Sequence, residues 1–426
     1  MFLGGTSLSR ERIEQTLNKL NEYGYSDDGM NRIAYSEEEQ AALRYIMQLM
    51  EAEKMDVYMD AIGNVIGRRE GTNPTLPAVA CGSHIDTVYN GGKYDGTVGV
   101  IAGLEVIRQL NKENIITEHP IELIIFACEE SARFGVATIG SKAMTGNITK
   151  TALEKLSDRH GVRFMDALEA QGLDGSQLET VIRRSDTLKA FYEVHVEQGI
   201  VLEHEKKKIG VVSGIAAPTR FRINITGQAA HSGATPMWLR KDAFVGAAEL
   251  VLFVEEAARA EALNGTVATI GSAEVFPNAM NVVPGAVELQ VDIRGIFQVS
   301  KEKVVSGLKK QIKEVQRKRQ LDIELVELSN DTPVKLASHI VESIRETCQN
   351  LEFSYLEMPS GAGHDAMNMA TICPTGMIFV PSKGGISHNK NECTKIEDIE
   401  KGILVLKEEL KKAAKVDGDA KGNRVV

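Results

Sequence analysis

Six side chains that can bind a metal ion or move a proton stand at or near the ends of apolar segments. Two adjacent glutamates follow the apolar run 121–127 in FACEESARFG, and histidines occur in GSHID and in EVHVEQG. An aspartate stands eleven positions after the first histidine, and another histidine lies in GGISHNKNE. Imidazoles mixed with carboxylates are the ligands that zinc and similar divalent ions prefer. The six candidates are His84, Asp95, Glu129, Glu130, His195 and His388.

This set has the composition of a two-metal site. Each of two ions would take two histidines, or a histidine and an acid, and one carboxylate would be shared. Asp95 is the candidate for the shared position, because a short acid can bridge ions about 3.5–4 Å apart. We expect Glu130 to bind a metal and Glu129 to stay free, as the general base for a metal-activated water. Asp86, two residues after His84, is expected to accept the other ring N–H of that ligand.

Each of these features has an ordinary structural explanation when it is taken alone. A single histidine at a strand end is more often structural than a ligand, and an adjacent pair of glutamates is usually a solvated turn. The Gly-Gly-Lys stretch matches neither dinucleotide-binding nor P-loop spacing. Cys128, beside the glutamates, has no dedicated base and is expected to be a buried structural thiol. Five ligands that all stand at the ends of predicted elements nevertheless favour a metal site.

The elements that would position these residues alternate between strands and helices. That order is typical of an α/β fold with a mostly parallel sheet covered on both faces. In such sheets, functional residues gather at the carboxyl ends of the strands. The sequence predicts strands at 56–60, 64–69, 76–81, 121–127, 189–195, 353–357 and 375–380, helices at 36–54, 98–110, 334–349 and 395–414, and a polar helical region at 142–186.

A second domain is predicted within the first. Residues 214–331 show a strand, a helix, two strands, a helix and a strand, which is the ferredoxin-like β-α-β-β-α-β order. The predicted strands are 219–226, 266–275, 286–293 and 322–328, and the predicted helices are 240–260 and 300–319. The catalytic domain would then be discontinuous, comprising 1–213 and 332–426, with 214–331 as a lid and dimerisation domain. The polar tail VDGDAKGNRVV, 416–426, is expected to be disordered.

Composition narrows the class of protein. A length of 426 residues predicts two or three domains. The formal net charge of −10 argues against a general nucleic-acid-binding protein. No apolar run reaches the roughly 18 residues that span a bilayer, and the N-terminal segment lacks the pattern of a secretory signal. Five scattered cysteines without a CxxC pair predict reduced thiols, and therefore a cytoplasmic protein.

Nine motifs together resemble one family. They are GSHIDTV, GGKYDGTVGV, CEESARFG, HVEQG, AAHSGATPM, NAMNVVPG, DIR, SGAGHDA and GISHNKNE. With the motifs in this order, the chain resembles the hydantoinase/carbamoylase family of amidohydrolases over about residues 10–414. That family lies within the aminoacylase and metallocarboxypeptidase superfamily of two-metal hydrolases. Its members include N-carbamoyl-L-amino acid hydrolases, allantoate amidohydrolases and β-ureidopropionases.

The resemblance implies how the metals are held. One ion would bind His84, Asp95 and His195, and the other would bind Asp95, Glu130 and His388. A histidine at position 195, where the peptidase relatives place an acid, is characteristic of this branch. The ions would be zinc, or manganese, cobalt or nickel, and the sequence does not choose among them.

The resemblance also implies a homodimer through the lid domain and a set of substrate contacts. His231 would enter the partner's active site and donate a hydrogen bond to the oxyanion. A guanidinium fork pairs well with a carboxylate, and Arg294 would hold the substrate carboxylate. The residues implied beside these are Asn281 and Arg220 at the carboxylate, and Gln198, Gly363 and His364 at the ureido or amide end.

Two of these positions have open alternatives, and two residues depart from the family pattern. Arg220 is equally consistent with a surface cation on a strand, and His231 with a turn histidine of the lid. Ile200 stands where many relatives have proline. Trp238, the single tryptophan, could shape the substrate pocket or pack at the dimer contact.

The sequence therefore predicts a cytoplasmic, dimeric, metal-dependent amidohydrolase. It would cleave the carbamoyl C–N bond of an N-carbamoyl-L-amino acid or a related ureido acid, giving amine, ammonia and carbon dioxide. Allantoate amidohydrolase is the nearest alternative. An N-acyl-amino acid deacylase or dipeptidase is a second, and a non-catalytic protein that binds an amino-acid derivative is a third. We expect neither nucleic acid nor membrane as a partner.

Overall fold

The computed structural model describes residues 3–415, and the tail predicted to be disordered, 416–426, lies outside them. The chain forms two compact units. Unit 1 comprises the described residues up to Ser213, Leu336–Met358 and those from Gly363 onward, and unit 2 comprises Gly214–Lys335 and Pro359–Ala362. Unit 2 is thus longer than the predicted 214–331, and it includes a second short segment that the sequence did not indicate.

The secondary structure runs in chain order as follows. The strands are β1 (Tyr25–Ser26), β2 (Gly29–Met30), β3 (Asp56–Met59), β4 (Val65–Arg69), β5 (Ala78–His84), β6 (Ile121–Phe126), β7 (Leu188–Val196), β8 (Ile209–Ile215), β9 (Ala217–Thr226), β10 (Ala230–His231), β11 (Val267–Phe276), β12 (Val282–Val283), β13 (Ala286–Gly295), β14 (Asp322–Asn330), β15 (Val334–Lys335), β16 (Tyr355–Ser360) and β17 (Thr375–Val380). The α-helices are α1 (Leu3–Asn21), α2 (Glu37–Ala52), α3 (Thr97–Lys112), α4 (Ile139–Met144), α5 (Lys150–Leu153), α6 (Phe164–Ala170), α7 (Val201–His204), α8 (Ala243–Ala260), α9 (Gln298–Arg319), α10 (Ser338–Asn350), α11 (Asp365–Met369) and α12 (Ile396–Ala414).

The sheet of unit 1 has a parallel centre. Its strands follow the order β8, β17, β7, β5, β6, β4 and β3, with β16 paired to β8. The four central strands β17, β7, β5 and β6 are mutually parallel. Strands β5, β6 and β17 are buried along their whole length, as expected for parallel strands covered on both faces. The helices α3 and α12 pack on these strands and on each other, so the predicted α/β class is confirmed.

Local sequence explains where the main helices begin. The side chain of Ser36 accepts the backbone N–H of Glu39 at 3.2 Å, which starts α2 as the capping pattern predicted. The carboxylate of Glu39 in turn accepts the N–H of Tyr35, one residue earlier than an ideal capping box. Helix α3 begins at Thr97, directly after Gly96 and one residue before the predicted range 98–110.

Unit 2 is an antiparallel four-stranded sheet with two helices. The strand order β11, β13, β9, β14 and the helices α8 and α9 confirm the predicted ferredoxin-like motif. Burial alternates along β13, so that Val287, Leu289, Val291 and Ile293 face a core that α8 and α9 cover. This periodicity of two is the pattern that made the motif predictable.

Three features differ from the sequence-based expectations. The helix α1 and the strand β8 were not predicted. The region predicted as polar and helical, 142–186, contains short helices and also buries Phe164 and Leu168 in an apolar cluster with Phe134 and Ile139. The helix predicted at 334–349 begins only at Ser338, because Val334 pairs with Ile215 in a strand instead. Within residues 3–415, no helix is both long and apolar enough to cross a membrane.

Candidate metal centre

The candidate ligands gather at one edge of the sheet of unit 1. His84 is the last residue of β5 and His195 the next to last of β7, and these are neighbouring parallel strands. The acid pair follows β6, the loop after β17 carries His388, and Asp95 stands two residues before α3. Because all four strands are parallel, their carboxyl ends meet at this edge, as the sequence indicated.

Asp95 lies at the centre of the cluster, and its two oxygens face different groups. The Oδ1 atom is 3.2 Å from Nε2 of His195 and 3.7 Å from Nε2 of His84. The Oδ2 atom is 3.2 Å from Nε2 of His388, which is itself 3.4 Å from an oxygen of Glu130. Two sets of three potential ligands therefore share one carboxylate.

Main-chain carbonyls orient the two buried imidazoles. Nδ1 of His84 lies 3.0 Å from the carbonyl oxygen of Asp86, and Nδ1 of His195 lies 2.9 Å from that of Val196. Because a carbonyl oxygen can only accept, each Nδ1 carries the hydrogen. In the neutral ring, Nε2, which faces Asp95, is then the nitrogen with the lone pair. This is the tautomer that a metal ligand requires.

Gly96 allows this close approach. Its φ is +65°, and a Cβ atom at this position would lie 2.4 Å from the ring of His84. The backbone N–H of Gly96 also donates to Nε2 of His195 at 3.2 Å. A side chain at position 96 would therefore displace the imidazole and strain the backbone.

Asp86 connects the first histidine to the acid pair, but not in the way the sequence suggested. Its carboxylate lies 3.6 Å from Nδ1 of His84, beyond hydrogen-bonding distance, and the Asp86 main chain makes that contact. The carboxylate instead accepts the N–H of Glu129 at 3.1 Å and the N–H of Glu130 at 3.0 Å. The preceding residue, Cys128, has a φ of +51°, an uncommon conformation for a side-chain-bearing residue. Asp86 thus fixes the turn that presents both glutamates.

The two glutamates have different surroundings. Glu130 belongs to the set with Asp95 and His388, whereas Glu129 belongs to neither set that shares Asp95. An oxygen of Glu129 lies 3.7 Å from Nε2 of His84. Burial raises the pKa of Glu129 well above its usual value, and burial together with Asp95 raises the pKa of Glu130 to about 7.

The charges of the cluster are arranged around the central carboxylate. Burial opposes ionisation of Asp95, but its contacts with His195, His388 and His84 hold its pKa well below the usual value. The hydrogen bond to Asp95 raises the pKa of His388 to about 9. An anionic carboxylate surrounded by imidazoles that would otherwise carry protons suits a divalent cation, because the cation can take the place of those protons.

Two of the predicted substrate contacts also lie in this cluster. Nε2 of Gln198 donates to Oδ2 of Asp95 at 2.7 Å, and its buried Oε1 has no hydrogen-bond partner among the described residues. The ring of His364 packs edge-on against that of His195, with 4.5 Å between centroids. Burial and His195 lower the pKa of His364 well below its usual value, so that its ring is neutral. Gly363 belongs to unit 1, directly before His364.

Sequence reasoning missed the carboxylates that support the cluster. Glu392 accepts the N–H of Tyr94 at 2.8 Å and that of Asp95 at 3.2 Å. Ser387 bridges an oxygen of Asp95 and an oxygen of Glu392, at 3.0 Å each. Glu193, two residues before His195 and fully buried, could have been recognised, because an acid within an apolar strand requires a partner.

Unit 2 holds the remaining predicted residues. The guanidinium of Arg294 contacts Asp292 at 3.0 Å and donates to the carbonyl of Gly361 at 3.1 Å, and Arg220 lies 3.5 Å from the same aspartate. Asp292 was not among the candidates, and it neutralises part of the charge predicted to bind a substrate carboxylate. The backbone N–H of Ala362 donates to the hydroxyl oxygen of Ser360 at 3.1 Å.

His231 and Asn281 lie close together within unit 2. The strand that ends at His231 pairs with β12, and the carbonyl of Asn281 accepts the N–H of Ser232 at 3.0 Å. Nδ1 of His231 accepts the N–H groups of Gly233 and Ala234, at 3.1 and 3.2 Å. In the neutral ring, Nε2 therefore carries the hydrogen and can donate it.

The donor set fits divalent metal ions. Each of the two sets offers imidazole nitrogens and carboxylate oxygens, with one carboxylate in common. Structural features of this kind, on a parallel sheet joined to a ferredoxin-like domain, define a metal-dependent hydrolase of the two-domain type.

Comparison with known proteins identifies the family. The sequence model of Peptidase family M20/M25/M40 matches residues 80–412, and the chain belongs to this family. It is 38% identical to an N-carbamoyl-L-amino-acid amidohydrolase of a Pseudomonas species, over 95% of this chain and 98% of that protein. It is 34% identical to the allantoate amidohydrolase of Escherichia coli, over 93% and 96%. The solved structure of a hydantoinase/carbamoylase family amidase from Burkholderia multivorans is similar, with a TM-score of 0.90, 34% identity, and coverage of 95% and 98%.

These findings confirm the resemblance seen in the motifs. The chain is a metal-dependent amidohydrolase that acts on amide C–N bonds. The predicted fold class, enzyme class and family are therefore correct.

Proposed function

We propose that this enzyme hydrolyses the carbamoyl C–N bond of an N-carbamoyl-L-amino acid or a related ureido acid, giving amine, ammonia and carbon dioxide. The named activities of the bacterial relatives support this substrate class. The observation that carries the proposal is the position of Glu129. It stands beside a candidate ligand, Glu130, but outside both sets that share Asp95.

Two divalent ions per chain are proposed, one held by His84, Asp95 and His195 and the other by Asp95, Glu130 and His388. Zinc, manganese, cobalt and nickel all accept such ligands. When bound, the ions would polarise the substrate carbonyl and make water a better nucleophile at neutral pH. The opposed oxygens of Asp95 support a bridging role.

Proton transfer is assigned to Glu129. Its carboxylate takes the proton of the attacking water and delivers it to the leaving nitrogen. Asp86 holds the N–H groups of both glutamates, and we propose that it keeps Glu129 and Glu130 in their separate roles. A buried carboxylate with little competing water is well suited to such a transfer.

Two groups of residues are proposed to recognise the substrate. Arg294, with Asn281 and Arg220, is proposed to bind the substrate carboxylate, which would compete with Asp292 for the guanidinium. Gln198, Gly363 and His364 are proposed to contact the ureido end. The unpartnered Oε1 of Gln198 supports this, because it can accept an N–H from the substrate.

We propose that the enzyme is a homodimer formed through unit 2, in which His231 serves the active site of the other protomer as a hydrogen-bond donor to the oxyanion. The tautomer of His231 supports a donor at Nε2. Exposed apolar side chains on unit 2 support the dimer, among them Trp238 at 84% exposure and Leu239 at 64%. The free state of all five cysteines supports the proposed cytoplasmic location.

The role of Glu129 is tested by Glu129→Gln, with Glu179→Gln on the surface as the matched control. We expect the metal content to persist and turnover to fall by about two to four orders of magnitude, since proton transfer typically contributes about 10²–10⁴-fold. The control should match the unaltered enzyme. Retained turnover in Glu129→Gln would remove Glu129 from its assigned role.

The substrate class is tested with a panel of carbamoyl amino acids, allantoate and acetyl amino acids, after reconstitution with each metal. Release of ammonia from a carbamoyl amino acid supports the proposal. A preference for allantoate would assign the enzyme to its nearest alternative. Release of acetate alone would indicate a deacylase, and absence of any product would indicate a binding protein.

A further inference from the structure

A cavity lined by lysines lies in unit 1, away from the candidate metal ligands. It measures about 180 Å³ and is formed by the residues after α7, the loop after β17 and the start of α12. Its five cationic residues are Lys206, Lys207, Lys208, Lys383 and Lys395. Neither the proposed reaction nor the proposed substrate contacts use any of them.

The positive charge of this lysine cavity is not neutralised by the protein. Its lining carries a formal charge of +3 (five lysines against two acids), although the whole chain carries −10. Both acids are already engaged. Glu203 accepts the N–H of Gly384 at 2.7 Å, and Asp398 lies 3.2 Å from Lys208 and 3.1 Å from Lys401.

Four of the five ammonium groups have no partner among the residues whose side chains the structure describes. Among residues 9–415, no hydrogen bond or ion pair is formed by the side chains of Lys206, Lys207, Lys383 or Lys395, whereas Lys208 reaches Asp398. Like charges around one cavity repel each other, and an anion in the cavity would relieve that repulsion.

The N-terminus of α12 borders the lysine cavity. This helix has 19 residues and begins next to the cavity, with Lys395 at the N-cap position. The side chain of Lys395 makes no capping hydrogen bond. The helix dipole places partial positive charge at this end of α12, and the acids Glu397 and Asp398 of the first turn offset part of it.

We propose that the lysine cavity binds a small multivalent oxyanion, namely inorganic phosphate or the phosphate group of a small metabolite. The volume suits one such group. Several ammonium donors match its tetrahedral oxygens better than they match a single carboxylate. The concave shape distinguishes the site from a flat basic surface, which would fit a membrane or a nucleic acid.

An anion in the cavity would join three segments of the chain. Lys383 opens the loop that leads to His388, and the neighbouring Ser382 accepts the N–H of Gln198 at 3.1 Å. Lys206 follows α7, and Lys395 precedes α12. Because the anion would bind the folded enzyme and add a further link among these three segments, binding should raise the melting temperature.

The test is calorimetric titration of the metal-loaded enzyme with potassium phosphate, against potassium chloride of equal ionic strength. The variant is Lys206→Ala with Lys383→Ala. The control is Lys310→Ala with Lys313→Ala, which removes two exposed lysines of α9 and changes the net charge equally. We expect saturable binding that weakens about tenfold or more in the variant and is unchanged in the control, since each removed charge acts at short range.

Melting temperature provides a second measurement on the same proteins. Phosphate should raise it in the unaltered enzyme and in the control, but not in the variant. Equal weakening of phosphate binding in the variant and the control would mean that only the overall charge matters, and it would overturn the proposal. Phosphate binding that disappears on metal removal but persists in the variant would place the anion at the metal centre and also overturn it. Tighter binding to an oligonucleotide or to phosphatidic acid vesicles than to phosphate would exclude a small-anion site.

Discussion

Replacement of Arg32 by methionine should destabilise the protein and loosen the loop that carries His84. The guanidinium is fully buried and donates to three main-chain carbonyls, those of Ile85 at 2.6 Å, Leu20 at 2.9 Å and Tyr23 at 3.2 Å. The main chain of Arg32 also exchanges hydrogen bonds with Thr87. Arg32 therefore fixes the segment directly after His84, through its contacts with Ile85 and Thr87.

The expected loss in the free energy of unfolding can be estimated from these contacts. A hydrogen bond from a charged donor contributes about 2 kcal/mol, so that three contribute about 6 kcal/mol. Burial opposes this, because it lowers the pKa of Arg32 to about 10 from 12.5, a cost of about 3 kcal/mol for the charged form. The net loss in Arg32→Met is therefore about 3 kcal/mol, a large fraction of the stability of an ordinary domain.

The measurement is urea unfolding of Arg32→Met beside Arg259→Met. Arg259 is a surface residue whose side chain is 78% exposed and pairs with Glu255 on α8, and its loss should cost less than about 0.5 kcal/mol. Metal affinity, measured by competition with a chelator, should fall in Arg32→Met and remain unchanged in the control. Arg32→Lys should recover only part of both losses, because one ammonium cannot reach three diverging carbonyls. A loss below about 1 kcal/mol, or equal to that of the control, would refute the reasoning.

Three further perturbations test other parts of the structure. In Gly96→Ala, the added methyl group should displace the ring of His84 and weaken metal binding. Gly271→Ala is the control, because a Cβ atom there meets no atom within 4 Å. Equal metal affinity in the two variants would contradict the steric argument. His388→Ala should lower the metal content from two ions to one per chain by atomic absorption, and an unchanged content would exclude it as a ligand. Burial raises the pKa of Asp60 to about 6 from 3.8, so that its protonated form favours folding. Relative to Asp60→Asn, the free energy of unfolding of the enzyme should therefore fall by about 3 kcal/mol as the pH rises from about 4 to 7. A difference between the two proteins that does not change with pH would contradict this.

The fold was largely predictable because its signals are local. Alternating burial along β9 and β13, the cap of α2 at Ser36 and the fully buried β6 each follow from neighbouring residues. The strand β8 was missed, and so was the core formed by 134–181, because those segments are short and their apolar residues show no clear period. Their structure depends on partners distant in the sequence.

The candidate site was predictable in residue identity and less so in geometry. Residues able to bind metal stand at strand ends, and a parallel sheet brings such ends together whatever their spacing in the chain. Three contacts were missed or misassigned, namely those of the Asp86 carboxylate, the support of Asp95 by Glu392, and the pairing of Arg294 with Asp292. Each of them is a contact between polar groups that no periodicity encodes.

The sequence by itself determined the class of this protein: a parallel α/β unit with a ferredoxin-like insertion, and a set of imidazoles and carboxylates sufficient for metal-dependent hydrolysis. Only the tertiary structure decided which oxygen of Asp95 faces which histidine, which nitrogen of each ring is the donor, and where unneutralised lysines converge. The physical reason is that hydrophobic patterns are written along the chain, whereas hydrogen bonds and electrostatic fields depend on distances between segments that meet only after folding.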